Sequence, residues 1–175
     1  METNSKTILT LVHVLFWIIF IGLCIKTGAL IFSSFVSLFV NPAGAKDLYE
    51  QLDLSELLAF NKSYYISMMS LVIVMGAVKA YLAYLVIKIF KVFSYEKPFN
   101  YHVAQLIMTI SHVALGAGIL GIISNSYGRW LMKKGLSLPL EWESSEFLFL
   151  AAIIFVIAQV FKKGTELQTE SELTV

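Results

Sequence analysis

Charge is what this sequence has least of. Among 175 residues there are 13 Lys and Arg and 12 Asp and Glu, 14% in all, where an ordinary soluble domain carries about a quarter. That shortage excludes a water-soluble enzyme and a disordered tail. The net charge of +1 excludes a free nucleic-acid binder, which needs a strong basic excess. Cysteine is nearly absent too: Cys24 stands alone, so no intrachain disulfide framework is available. The chain also lacks an H-E-x-x-H pair, a Walker loop, a G-x-S-x-G elbow and any paired-cysteine motif, and with them the usual signatures of a catalytic centre.

What is present is apolar. Hydrophobic residues make up 58% of the chain and the mean hydropathy is +0.76, which is a membrane composition. Four runs account for it, and the stretches between them are too short for a separate soluble domain, so residues 1–175 read as one integral membrane domain. The first, Ile8 to Ile25, carries no charge and at 1.5 Å per residue extends about 27 Å, enough to cross most of a 30 Å hydrocarbon core. Apolar character continues past Lys26 to Val40, interrupted by Ser33, Ser34 and Ser37. The run is longer than a signal-peptide h-region and no small-residue cleavage site succeeds it, so it is read as retained. The second span falls within residues 65–90, the third within 103–123 and the fourth within 147–161. A polar tail occupies 162–175.

Two polar stretches lie between spans. In residues 43–62 the spacing of Leu48, Leu52, Leu57 and Leu58 predicts a short amphipathic helix lying on the membrane surface. In 125–146, Leu136, Leu138, Leu140 and Trp142 alternate with Ser137, Pro139, Glu141 and Glu143, a period of two that suits a half-buried strand, placed at an edge by its proline. Trp130 and Trp142 are of the kind found at headgroup level. The fold class is therefore an all-α membrane protein, a four-helix transmembrane bundle with short amphipathic or strand-like outer segments.

Basic residues near span ends set the orientation. With the N-terminus inside, the inner side has Lys6, Lys88, Lys91, Lys97, Lys162 and Lys163, and the outer side has Lys46, Lys62, Arg129, Lys133 and Lys134. The short loop between spans two and three decides the matter, with three lysines against Glu96, while 43–62 carries four acids against two lysines. Both termini are expected in the cytoplasm.

All the acids fall outside the four spans, which disfavours carboxylate-coupled transport. The ionisable groups inside are Lys79, His13 and His112, and intramembrane charge is a functional candidate by default. Lys79 lies about 18 Å from Lys91 along its helix, close to the midplane, with no acid on any span. The readings open to it are a snorkelling side chain in a shifted bundle, a cation lining a cavity for an anionic group, or a cation pairing with an acid on a partner chain. His13 and His112 sit at compatible depths for axial haem ligation, although hydrogen-bonded bundle histidines are the commoner case. No cofactor and no metal are expected.

Gly116, Gly118 and Gly121 formally spell G-x-G-x-x-G, but an apolar helix precedes them in place of the strand a dinucleotide site requires. As helix positions, Ala114 with Gly118 and Ala117 with Gly121 are small-xxx-small pairs that admit a close neighbour. The tail places Glu166, Leu167, Glu170, Glu172 and Leu173 beyond Lys162 and Lys163. Its acids are repelled by an anionic leaflet, so it should project into the cytoplasm and offer a docking peptide for a protein partner.

Two stretches carry a family resemblance. Lys97-Pro98-Phe99 with Leu106 and Ile110 opens span three. The run Phe161-Lys162-Lys163-Gly164-Thr165-Glu166-Leu167-Gln168, then Glu170 and Glu172-Leu173-Thr174-Val175, closes the chain. With the four-span layout, they resemble the bacterial domain-of-unknown-function family 2975. The resemblance implies a small bacterial inner-membrane protein with no catalytic residues to carry over. The expectation is a non-catalytic multi-pass protein that binds a cytoplasmic partner through its loop and tail, with the bilayer as solvent, no direct contact with nucleic acid and a homo-oligomer open to it. The competing reading is a small oligomeric transporter or ligand-binding bundle with Lys79 and His112 lining a midplane cavity.

Overall fold

The computed structural model describes residues 2–94, 99–140 and 142–173, with side chains from 7 to 170 in those ranges. Lys97-Pro98 of the span-three motif, the Glu141 step of the alternating segment and Thr174-Val175 lie outside the described residues. The elements in chain order are α1 (Glu2–Phe39), a 3-10 helix (Pro42–Lys46), α2 (Ser55–Phe60), α3 (Lys62–Val92), α4 (Tyr101–Met132) and α5 (Ser144–Leu173). Four of these are long and apolar enough to span a bilayer, and no strand occurs among the described residues. The chain is an all-α, multi-pass membrane protein built on a four-helix bundle.

The starts of three helices are set by asparagine. Asn61 accepts from Ser63 and Tyr64 N–H at α3, Asn100 accepts from His102 N–H at α4, and Asn41 does the same for Ala43 at the 3-10 turn, each satisfying donors that the helix itself leaves orphaned. The helices are long: α1 with 38 residues, α3 with 31, α4 with 32 and α5 with 30 correspond to about 45–57 Å each. All exceed the hydrocarbon core, so each projects from it.

Packing runs in chain order. α1 lies on α3, α3 on α4 and α4 on α5, while among the described residues the backbone of α1 does not come close to that of α4 or α5. Each pair is antiparallel. Ser37 meets Tyr65 at one end of the α1–α3 pair and His13 meets Phe90 at the other. Tyr127 meets Tyr64, and Ile89 packs with Val103, across α3 and α4. Gly121 faces Ser144, and Ala158 packs with Val103 and Ile107, across α4 and α5. The molecule thus has a tail end, where α1 and α4 begin and α3 and α5 finish, and a cap end.

The larger core is at the cap, outside the middle of the bundle. Leu48, Leu54 and Leu57 from the first connection and Leu136 from the second are buried there against Leu30, Tyr65, Met68, Met69 and Leu131. This corrects two expectations. Residues 43–62 do not form one helix on a membrane surface: Glu50 and Gln51 take left-handed backbone (φ 51° and 63°), splitting the stretch into the 3-10 turn and the six residues of α2, and its leucines face protein. Residues 136–143 are not a strand either. The alternation is real, with Leu136 buried, Leu138, Leu140 and Trp142 half-buried, and Ser137, Pro139 and Glu143 exposed. Yet no strand occurs among the described residues, so no ladder forms.

At the middle of the bundle the apolar surface faces outwards. The most apolar window of α1 contains no buried residue, and Ile8, Leu11, Leu15, Ile18 and Ile25 are all more than half exposed. Such a surface is stable only in hydrocarbon, since monomeric soluble proteins do not leave contiguous patches of this size in water.

Candidate functional site

The fourth span fixes the level of the bilayer. Its apolar run lies between Glu146 and Lys162, and from Ser144 to Phe161 α5 extends only about 27 Å, so the hydrocarbon boundary on the cap side must pass close to the start of α5. Gly121 faces Ser144 at that level, which leaves the last eleven residues of α4, about 16 Å of helix, standing clear with the cap. Trp130 belongs to these turns, stacked on Tyr127 and holding Lys134 over its ring at 3.9 Å.

Lys79 acquires its meaning from this placement. Its Nζ lies 3.3 Å from Glu143 Oε2 and 5.6 Å from the Phe147 ring centre. The carboxylate comes from the extended segment that re-enters to start α5, 64 residues away in sequence. Lys79 is thus a cation near the level of the start of α5, whose stem carries the charge towards Glu143. Lys26 on α1 stands at nearly the same level, because its neighbour Thr27 packs against Gly76, one turn from Lys79. It pairs with Glu50 of the left-handed turn. Lys26, Lys79 and Glu143 share the lining of a cavity of about 250 Å³ that also includes Thr27, Trp142 and Phe147.

The histidines lie elsewhere. His13 stacks on Phe90 with ring centres 5.2 Å apart, and its Nε2 accepts from Trp17 Nε1–H at 3.1 Å. His112 is exposed on α4 and does not line the Lys79 cavity. Since the backbones of α1 and α4 do not come close among the described residues and His13 stacks on Phe90 of α3, the structure does not bring the two imidazoles together as an axial pair. Among the described residues no cluster of three or more His, Cys, Asp and Glu side chains has metal-binding geometry.

The small residues of α4 form its contact with α5. Ala114 and Ala117 are fully buried. A Cβ added at Gly118 would come within 2.6 Å of Leu148 Cδ2, and one at Gly121 within 2.9 Å of Ser144 Cβ. Ser111 Oγ–H donates to the Ala151 carbonyl across the same seam at 3.0 Å. Gly116 lies on the opposite face, with nothing within 4 Å.

The tail is not a free peptide through its described length. α5 continues without a break from the apolar run to Leu173, so Glu166, Leu167, Glu170, Glu172 and Leu173 are helical positions. Gly164 is what lets the extension lie close, because a Cβ there would fall 2.5 Å from the Phe99 ring, which itself packs on Phe161 at 5.4 Å. Lys163 pairs with Glu166 at 3.0 Å. Between this extension and the first turns of α4 lies a groove of about 600 Å³, with Ala104, Met108 and Ala158 at its base and Lys162, Glu166 and Glu170 along one wall. Sequence reasoning picked out Glu166 and Glu170 but missed Tyr101 and Gln105 opposite them. Their only signal was position, first and fifth in a helix capped by Asn100. Leu167 is exposed and does not line the groove.

The chain matches no protein-family model, no curated protein and no solved structure, so any functional reading rests on its own residues and geometry.

Proposed function

We propose that the chain is a non-catalytic membrane component that docks a segment of a cytoplasmic protein in the groove between the start of α4 and the helical extension of α5. The setting is the bacterial inner membrane implied by the family resemblance, with the tail end in the cytoplasm, where Lys88, Lys91, Lys162 and Lys163 flank the spans. The observation that supports this reading is the groove itself. Its floor, Ala104, Met108 and Ala158, lies at the last turn of the apolar run, and beyond it one wall carries Lys162, Glu166 and Glu170. An amphipathic helix with a basic flank matches both features, its apolar face covering Met108 and its cations meeting the two glutamates.

Site-directed photocrosslinking in the native membrane tests this. Probes at Gln105 and Thr169, both in the groove, should yield the same protein adduct, while a probe at Phe155 on the exposed face of the span should yield only lipid. Reversing the wall with Glu166→Lys and Glu170→Lys should abolish the adduct, and reversing the basic residues of the captured segment should restore it. Groove probes without a shared adduct, or an adduct indifferent to the reversal, would overturn the proposal.

A further inference from the structure

The cavity at the cap-side boundary is unusual in holding two cations among apolar walls. Lys26 and Lys79 reach it from different helices, and much of the remaining lining is Leu23, Leu30, Met75, Leu140 and Phe147. Charge at such a site is costly unless it is balanced, and the balance comes from acids outside the spans: Glu50 on the left-handed turn for Lys26, and Glu143 for Lys79. Both carboxylates are largely exposed, at 60% and 65%, so each can turn into water at little cost. The ammonium groups are tethered to helices and cannot. At 3.3 Å the Lys79 contact is also longer than the 2.7–2.9 Å of a strong charge-assisted bond. Among the described residues the backbones of α1 and α5 do not come close, so no helix–helix seam closes the cavity on that side.

The geometry points to a binding site for the phosphate of an anionic phospholipid. Lys26 and Lys79 donate to the phosphate oxygens in place of the two carboxylates, the apolar walls take the glycerol end of the molecule, and the acyl chains leave between α1 and α5. The cavity is smaller than the usual pocket for a whole small-molecule ligand, which suits a headgroup whose tails stay in the bilayer. Inorganic phosphate shares this chemistry, and the test separates the two sources.

Trp142 lines the cavity and is one of three tryptophans, so Trp17→Phe with Trp130→Phe leaves it as the sole reporter. The full chain in phosphatidylcholine nanodiscs is titrated with brominated phosphatidylglycerol and Trp142 quenching is monitored. Saturable quenching is expected, with brominated phosphatidylcholine giving none that saturates. Lys26→Met with Lys79→Met should raise the half-saturation point by about tenfold or more, the equivalent of about 1.4 kcal/mol of binding, and the corresponding arginine pair should retain binding. Glu143→Gln releases Lys79 without removing a cation and should tighten binding several-fold, a gain that misfolding does not produce. Equal quenching by both lipids, or binding that none of these changes moves, would overturn the site. Displacement of the brominated lipid by inorganic phosphate alone would overturn the lipid assignment in favour of a soluble anion.

Discussion

Single residues decide how closely the helices approach. At Gly121 a new Cβ meets Ser144 Cβ at 2.9 Å and its Cα at 3.1 Å, so the backbone of α5 must shift. Gly121→Ala is expected to destabilise the protein by about 1–3 kcal/mol, the usual range for overpacking. Gly116→Ala, which adds a methyl to open space, should be neutral or stabilising by up to about 1 kcal/mol through helix propensity. Equilibrium unfolding in mixed micelles separates the two. A second contrast concerns the buried bond between Ser37 Oγ and Tyr65 Oη at 2.6 Å. Ser37 Oγ also donates to the Ser34 carbonyl at 2.9 Å, so Tyr65→Phe leaves the serine satisfied and should cost about 1 kcal/mol. Ser37→Ala removes this partner, but the Tyr65 hydroxyl also reaches the Ser34 side chain, so it too should cost about 1 kcal/mol. Ser34→Ala with Ser37→Ala strips both partners from the buried hydroxyl and should cost more, about 1–3 kcal/mol, and a double variant no worse than the single one in the same unfolding assay would show that the hydroxyl finds another partner.

At the scale of elements, the start of α2 depends on Asp53, whose Oδ1 accepts from Ser55 Oγ–H at 2.6 Å and Ser55 N–H at 2.8 Å. The side-chain bond and then the backbone bond hold its carboxyl below the ordinary value of 3.8. A carboxyl depressed in the folded state contributes stability that is fully present above its unfolded value and is lost as pH falls through the folded one. Amide exchange of residues 55–58 should therefore accelerate, relative to the cap core, only below about pH 4, and Asp53→Ala should remove that dependence. The elements also show what was legible in the sequence. The four apolar runs, and the small face of α4 at spacing four, could be read directly because each is a local pattern. The alternation of 136–143 was equally legible, but period two reports an extended backbone, and only a neighbour makes it a strand. Leucine spacing in 43–62 did not betray the left-handed pair at Glu50 and Gln51, because neither residue is a glycine. Lys79's partner was invisible for a different reason: Glu143 lies outside every apolar run, and it reaches Lys79 only because α5 starts so far down the bundle.

For the whole molecule, the shortness of the fourth span places the bilayer, and this is open to measurement. With Cys24→Ser as background, a cysteine at Ser126, exposed on the part of α4 beyond Gly121, should react with a membrane-impermeant maleimide applied from the cap side. One at Leu115, exposed and nearer the tail end, should be protected by lipid. Protection at both positions would move the boundary outwards and leave Lys79 at the midplane. The packing of each long helix only on its sequence neighbours has a consequence for how the protein is made. Every interface between long helices is complete as soon as the next helix joins its predecessor in the bilayer, so assembly can keep pace with synthesis, one hairpin at a time, with little loop entropy to overcome. The cap is the exception. Its core joins Leu30 and Leu57 to Leu131 and Leu136, so it closes only when the second connection has emerged, and that late closure locks the order of the helices beneath it.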